Sequence, residues 1–492
     1  MRSYSMTRVR TVDAADGRTY RFSRSGFSAH VTGVDRRSRW CPTHADAPPR
    51  PTRAGLMSDH TADAHPVSDY RGAESSRTHL LSAGGDHDVD LPAFFAECRR
   101  RGDILAEDLH DRLGVPRTVA MTTAASGLRD FDGPVYSAVG YDAVASVLRD
   151  DQGFDTRLTL RAHEPFLGRT VFALEGEEHR AHRGLVMSAF SRKAVDAWER
   201  EVIEPLARDS VAALRAGGRR EADLLADFVF AFPGRVITAL LGEPPVPLDV
   251  LMGAATAMVT FSEPERAVRA SRTLYDWIAE MVDRRRHGEG AAAGGADLIS
   301  RLLRAQVEGA RLTDEEIIVF VRQLYPAGFD TTFRALGNAV VGLLTTGQWQ
   351  LVVDDPELVP QAVEEALRWE TSVTGVPRYA VRDVEVCGTV IPAGSAVLCF
   401  TGSANHDERY WPNPQRYDLT RATRVNATFG FGIHRCLGLV LARREMAAAL
   451  HALRDHLPGL RLRPGSDDEL RVRGLGFRQP AAIPVLFDAL PR

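Results

Sequence analysis

The sequence predicts a mainly α-helical body with small β-sheets, a single large domain over residues 89–492 behind an N-terminal tail. Three observations predict it. From Asp90 onward the apolar residues recur at helical spacing over long stretches. Signals for strands are confined mainly to Pro134–Ser137, Thr374–Phe400 and the last twenty residues. One segment, from about Asp314 to Thr346, is long enough at about 1.5 Å per residue to run about 50 Å and cross the whole molecule.

Residues 1–88 are rich in Ser, Thr, Gly, Asp, His and Arg, hold the Pro48-Pro49-Arg50-Pro51 cluster and lack periodicity, so they read as a disordered extension. Its first 56 residues carry eleven Arg against four Asp; solvated disorder outweighs a nucleic-acid or membrane arm, and Met57 is an alternative start of translation. The whole chain has 61 basic and 65 acidic residues, a formal net charge of -4, which gives no global attraction to nucleic acid or anionic lipid. Its five cysteines, Cys41, Cys98, Cys387, Cys399 and Cys436, are far apart and form no CxxC pair, which fits a reducing cytoplasm better than a disulfide scaffold. The most apolar stretch, Phe228 to Leu241, is interrupted by Pro233 and Arg235, so no membrane span is expected.

Within the body, His179 and Arg183 lie four apart on one helical face. The Gly-rich residues 287–296 read as a loop between helices. The long helix opens on Thr313-x-x-Glu316, a capping box, and stops near Gly347. Its centre, Pro326-Ala327-Gly328-Phe329-Asp330-Thr331-Thr332, places a helix breaker, a flexible residue and an acid–alcohol pair where smooth packing prefers leucine or alanine. Pro326 is expected to bend the helix and open it to water or a ligand. Glu365 and Arg368 share a helical face three residues apart, where they can pair. Arg378 follows at the start of the β region, and either it or His179 and Arg183 can be read alone as solvated charges.

The most informative segment is Phe429-Gly430-Phe431-Gly432-Ile433-His434-Arg435-Cys436-Leu437-Gly438, followed by Leu441-Ala442-Arg443. Two glycines permit a tight turn before the cysteine, and a helical pattern starts after it. Orphan amides and the helix dipole there stabilise an anionic sulfur able to ligate a metal. A lone cysteine is more often a small buried hydrophobe. Zinc is the weaker alternative, since His434 and Cys436 are too few for a closed tetrahedral site.

This segment resembles the haem-binding loop of cytochromes P450 at each fixed position. The order of long helix, Glu-x-x-Arg, β segment, Pro414-Gln415-Arg416-Tyr417-Asp418 and cysteine loop also matches that family over about residues 90–492. The resemblance implies the cytochrome P450 fold, with its long central helix over haem b (iron protoporphyrin IX) and Cys436 as the axial iron ligand. It implies propionate contacts from His179, Arg183, Arg378 and His434. It assigns Glu365, Arg368 and Arg416 to locking the core behind the haem. It also implies that Thr331 hydrogen-bonds dioxygen in the pocket while Asp330 relays protons.

The activity so implied is a cytoplasmic O2-dependent monooxygenase acting on a small apolar organic substrate, with electrons from a ferredoxin and its reductase docking near Arg435. Phe329 and Val376 are expected to border the pocket. Two other readings stand beside it: a peroxide-driven peroxygenase, disfavoured by the Asp330-Thr331 pair, and a non-catalytic haem-binding or gas-sensing module. The chain departs from the pattern at Asn426, where bacterial members often have His, at His406, where they often have Arg, and at Pro326 before Ala-Gly.

Overall fold

The computed structural model describes residues 10–13, 19–23, 26–28, 89–115, 128, 131–242, 248–259, 264–289 and 297–489. The chain divides into two units, Met1–Ser68 and Asp69–Arg492. In the first, strands Arg10–Asp13, Thr19–Ser23 and Gly26–Ser28 pair antiparallel in sequence order. The composition of the tail did not suggest these strands. The rest of residues 1–88 and most of the expected 287–296 loop lie outside the described residues.

The second unit is mainly helical with small sheets, as its periodicity predicts. The central helix spans Asp314–Thr345. Thr313 and Glu316 form a reciprocal capping box at its start: the Glu316 amide donates to Thr313 Oγ1 at 3.2 Å, and the Thr313 amide to Glu316 Oε2 at 2.7 Å. The helix stays continuous through Pro326, which leaves the Arg322 carbonyl without its usual donor four residues on. Helices Ala231–Leu241, Leu248–Val259, Pro264–Arg286, Val359–Trp369 and Leu439–His456 pack around it in one apolar core.

A five-stranded sheet flanks this bundle in the order Ile104–Leu105, Val135–Ala138, Ala396–Cys399, Val376–Ala380, Phe154–Asp155; its only parallel pair joins Val135–Ala138 to Ala396–Cys399. Arg378 stands opposite Val397 in this sheet. The two- and three-residue strands, Ile104–Leu105, Phe154–Asp155, Glu221–Asp223 and Arg461–Leu462, are too short to show an alternating pattern, and the sequence did not reveal them. Among the described residues no helix is long and apolar enough to cross a membrane.

Candidate active site

Between Ile317 and Leu343 every residue of the central helix is buried except four: Leu324, Ala327, Gly328 and Thr331. Their spacing of three, one and three residues puts them on one face over two turns. A core helix would be buried all round, so this window marks a cavity wall. Thr331 lies at its edge, with Oγ1 donating to the Ala327 carbonyl at 2.7 Å. Asp330, one residue earlier and therefore about 100° around the helix, is on the packed side. Both its oxygens accept from Arg334, from Nε and Nη2 at 3.2 Å each.

Phe329 also faces the packed side, 1% exposed, with its ring 5.2 Å from Phe230 and 5.3 Å from Phe333. The expectation that it borders the pocket is corrected by this rotation. Val376 is partly exposed.

The cysteine loop folds as its glycines require. Gly430 and Gly432 have φ of 65° and 72°, and a Cβ at Gly432 would meet the Leu148 carbonyl oxygen at 2.2 Å. The Cys436 amide closes the turn on the Phe429 carbonyl at 2.9 Å. Helix Leu439–His456 follows from its N-cap Gly438, which offers no side-chain cap. Burial pushes the Cys436 thiol up, while the Gly438 N–H and the charges of Arg183, Arg443 and Arg435 favour the thiolate. Burial wins in that balance, and a bound cation would reverse it, because metal ligation deprotonates the sulfur outright.

Around the loop lie the four expected anion contacts. His179 and His434 rings are 4.3 Å apart. His179 is 1% exposed and both its ring nitrogens lack a hydrogen-bond partner; burial and the neighbouring His434 and Arg183 push it down to about 4. Arg183 Nη2 donates to the Arg435 carbonyl at 2.5 Å, which anchors its helix, Gly176–Ala189, to the loop. Arg378 is buried, and its guanidinium donates to its neighbour's carbonyl, Pro377 O, at 2.8 Å. Burial therefore holds its pKa below the usual arginine value.

Sequence reading missed Glu175, the N-cap of the His179 helix. Its carboxylate accepts from the Thr156 amide and hydroxyl, both at 2.6 Å, and lies 3.3 Å from His434 Nε2. Burial raises its pKa, but these bonds outweigh burial and hold it at about 2. Its place directly before the helix start was the available signal.

Behind the loop, Arg368 donates to Glu365 through Nε at 2.8 Å and Nη2 at 2.7 Å, both residues being buried. Arg368 also reaches the carbonyls of Asn405, Pro414 and Arg416 at 3.1, 2.8 and 3.2 Å. The third charged side chain is Arg421, not Arg416. Arg421 Nε lies 3.1 and 3.2 Å from the two Glu365 oxygens, whereas Arg416 is exposed and takes part only through its carbonyl. An exposed Arg416 keeps its charge in water, while Arg421, on the turn after Asp418, replaces water at a buried carboxylate. At the departures from the pattern, Asn426 Nδ2 lies 3.4 Å from Glu364, and buried His406 bonds the Gly402 carbonyl at 3.0 Å.

Residues 352–457 match the family model of cytochrome P450. Cytochrome P450 107B1 of Saccharopolyspora erythraea is 35% identical over 311 residues, covering 63% of this chain and 75% of that protein. The mycinamicin IV hydroxylase/epoxidase of Micromonospora griseorubida is 32% identical over 356 residues, covering 70% and 88%. The chain belongs to the cytochrome P450 family. The solved structure of CYP109Q5 from Chondromyces apiculatus superposes with a TM-score of 0.68 at 28% identity, covering 82% of this P450 and 96% of that chain. The protein is thus a haem-thiolate monooxygenase in class.

The residues fit the haem such an enzyme uses. A buried histidine with two unpartnered nitrogens and a buried guanidinium bonded to its own strand are what two propionates would satisfy. A glycine-built turn presents Cys436 in the field of Arg183, Arg443 and Arg435.

Proposed function

We propose that this P450 holds haem b through the Cys436 sulfur and inserts one atom of O2 into a small apolar organic substrate, with electrons from a ferredoxin and its reductase in the cytoplasm. The reading is carried by the open window Leu324, Ala327, Gly328, Thr331 in a helix otherwise buried from Ile317 to Leu343, an apolar wall with a single hydroxyl. The bound haem would supply dioxygen activation and the oxidising equivalents, the thiolate favouring O–O cleavage.

The chain's own groups do the rest. Arg183, Arg435 and Arg443 with the Gly438 N–H stabilise negative charge on the sulfur. His179 and Arg378, with Arg183 and His434, neutralise the propionates; Arg378 suits bidentate carboxylate contact. The Thr331 hydroxyl rests on the Ala327 carbonyl, and on turning from it presents a proton to an oxygen atom in the pocket. Asp330 is the acid that resupplies this proton. Glu365, Arg368 and Arg421 hold the segment from Asn405 to Arg421 behind the loop. Exposed Arg435 favours an acidic electron-transfer partner on that side.

The test is a library titration of the ferric holoenzyme followed by Soret shift, then turnover of each hit with ferredoxin, reductase, NADPH and isotopically labelled dioxygen. One labelled oxygen in the product supports the proposal. Turnover with peroxide alone moves the protein to the peroxygenase reading, and absence of oxygen consumption with every hit moves it to a non-catalytic haem module.

A further inference from the structure

Beside the window, and continuing one to two turns past it, the central helix carries an unusual line of buried polar residues. Asp330, Arg334 and Asn338 are spaced four and four residues apart and are 1%, 0% and 0% exposed. Residues at that spacing lie one above another on a helix. Burial of three polar side chains in a row is costly unless they are held; Arg334 Nη1 and Asn338 Oδ1 lack a hydrogen-bond partner, and the contacts the three side chains do make point to one place.

Arg334 donates to both Asp330 oxygens, and its guanidinium lies 5.0 Å from the Phe333 ring and 4.9 Å from the Phe477 ring. Asn338 Nδ2 donates to the carbonyls of Glu370 at 3.1 Å and Arg478 at 3.2 Å. Phe477 and Arg478 belong to one tight turn, closed by a bridge between Arg473 and Gln479. The turn is fastened on its other side as well. Arg478 pairs with Glu370 at 2.8 and 3.2 Å, Phe477 bridges to Val373, and the Thr374 amide and hydroxyl donate to Gly476 O and Leu475 O at 2.9 and 2.5 Å. Val373 and Thr374 lead directly into the strand that carries Val376 and Arg378.

We propose that Arg334 is a positioning residue for proton delivery: braced by Phe477 of the Arg473–Gln479 turn, it fixes the Asp330 carboxylate in the one orientation from which it serves Thr331. The inference rests on the reading of Asp330 and Thr331 given above. Geometry makes the brace necessary. Asp330 is around the helix from the Thr331 hydroxyl, so its place relative to the pocket depends on which rotamer the guanidinium holds. An aspartate released from a buried cation either takes up a proton or turns to other donors, and in both cases the resupply of Thr331 changes.

The experiment uses the holoenzyme without added substrate, driven by NADPH, a ferredoxin and its reductase. Hydrogen peroxide released per NADPH oxidised is measured from about pH 6 to about pH 9, and thermal midpoints are recorded for every variant. Asp330→Asn and Arg334→Gln are each expected to raise the peroxide fraction about fivefold and to flatten its pH profile, with the double variant no worse than either alone. Arg334→Lys keeps the charge and returns most of the way, and Phe477→Leu, which removes the brace but not the ion pair, falls between. A purely structural role would lower the thermal midpoint and leave partition and profile at wild-type values.

That last result in Arg334→Gln, with Asp330→Asn raising peroxide, overturns the proposal. If Arg334→Gln does not fold, wild-type partition in both Arg334→Lys and Phe477→Leu overturns it equally. Unchanged partition in Asp330→Asn itself is a separate outcome, and refutes the underlying assignment of the acid.

Discussion

Replacing Arg421 by Ala tests which arginine completes the Glu365–Arg368 cluster. Arg421 has a side chain only 10% exposed, shares both Glu365 oxygens through Nε, and donates to the carbonyls of Pro412, Asn413 and Arg416. Removing one member of a buried ion pair costs about 3–5 kcal/mol, because the remaining charge loses its compensation. Glu365 would keep Arg368 and the Asp418 amide at 2.9 Å, which places the loss at the lower end, about 3 kcal/mol. Arg416→Ala removes an exposed side chain and keeps the carbonyl that accepts from Arg368 and Arg421, so its effect stays within about 0.5 kcal/mol. With an unfolding entropy of about 2.1 cal/mol/K per residue over ~400 residues, these become shifts of about 4 °C and under about 1 °C in the thermal midpoint. The assay is thermal unfolding of the holo variants by circular dichroism, with the reduced carbon monoxide spectrum as a check on the cysteine site. Equal loss in the two variants, or a larger loss in Arg416→Ala, refutes the assignment of Arg421.

Three further outcomes are expected. Cys436→Ser abolishes the red-shifted absorption of the reduced, carbon monoxide-bound protein; its retention sinks the ligand assignment. Arg378→Ala and His179→Ala each weaken haem affinity about 10- to 100-fold, the worth of one charge-assisted bond, read by haem transfer to an apo-globin; unchanged transfer rates remove these residues from the propionate contacts. Glu445 is buried, with Oε2 lacking a partner, and burial pushes its carboxyl well above the usual range. A raised folded pKa means the folded state keeps a proton that the unfolded state releases, so this stability is complete below the ordinary carboxyl pKa and is lost as pH rises towards the folded value. Glu445→Gln therefore raises the thermal midpoint over wild type near about pH 8 and much less near about pH 5, and a pH-independent difference contradicts the burial argument.

What was legible in the sequence was local. The central helix begins at its capping box and ends one residue before the predicted Thr346, because a cap and a stop are set by neighbours in the chain. The Glu365–Arg368 pair and the turn before Cys436 were legible for the same reason. Arg416 was misjudged and Arg421 missed because both lie in an irregular segment. Whether such a residue offers its guanidinium or its carbonyl depends on packing that no periodicity reports. Phe329 was misjudged by adjacency: it follows Gly328 in sequence but is rotated about 100° from the open window.

The line Asp330, Arg334, Asn338 shows the limit most clearly, since its spacing was fully visible. Polar residues at i, i+4 and i+8 ordinarily mark a solvated helix face, and their burial here is decided by the Arg473–Gln479 turn, more than a hundred residues away in the chain. The same helix therefore carries, next to each other, a partly exposed stretch and a buried polar line. The first is where the ligand pocket is proposed, and the second is polar because a distant turn supplies its partners. A period of 3.6 residues can identify that such faces exist, but only the long-range contacts distinguish a pocket from a brace.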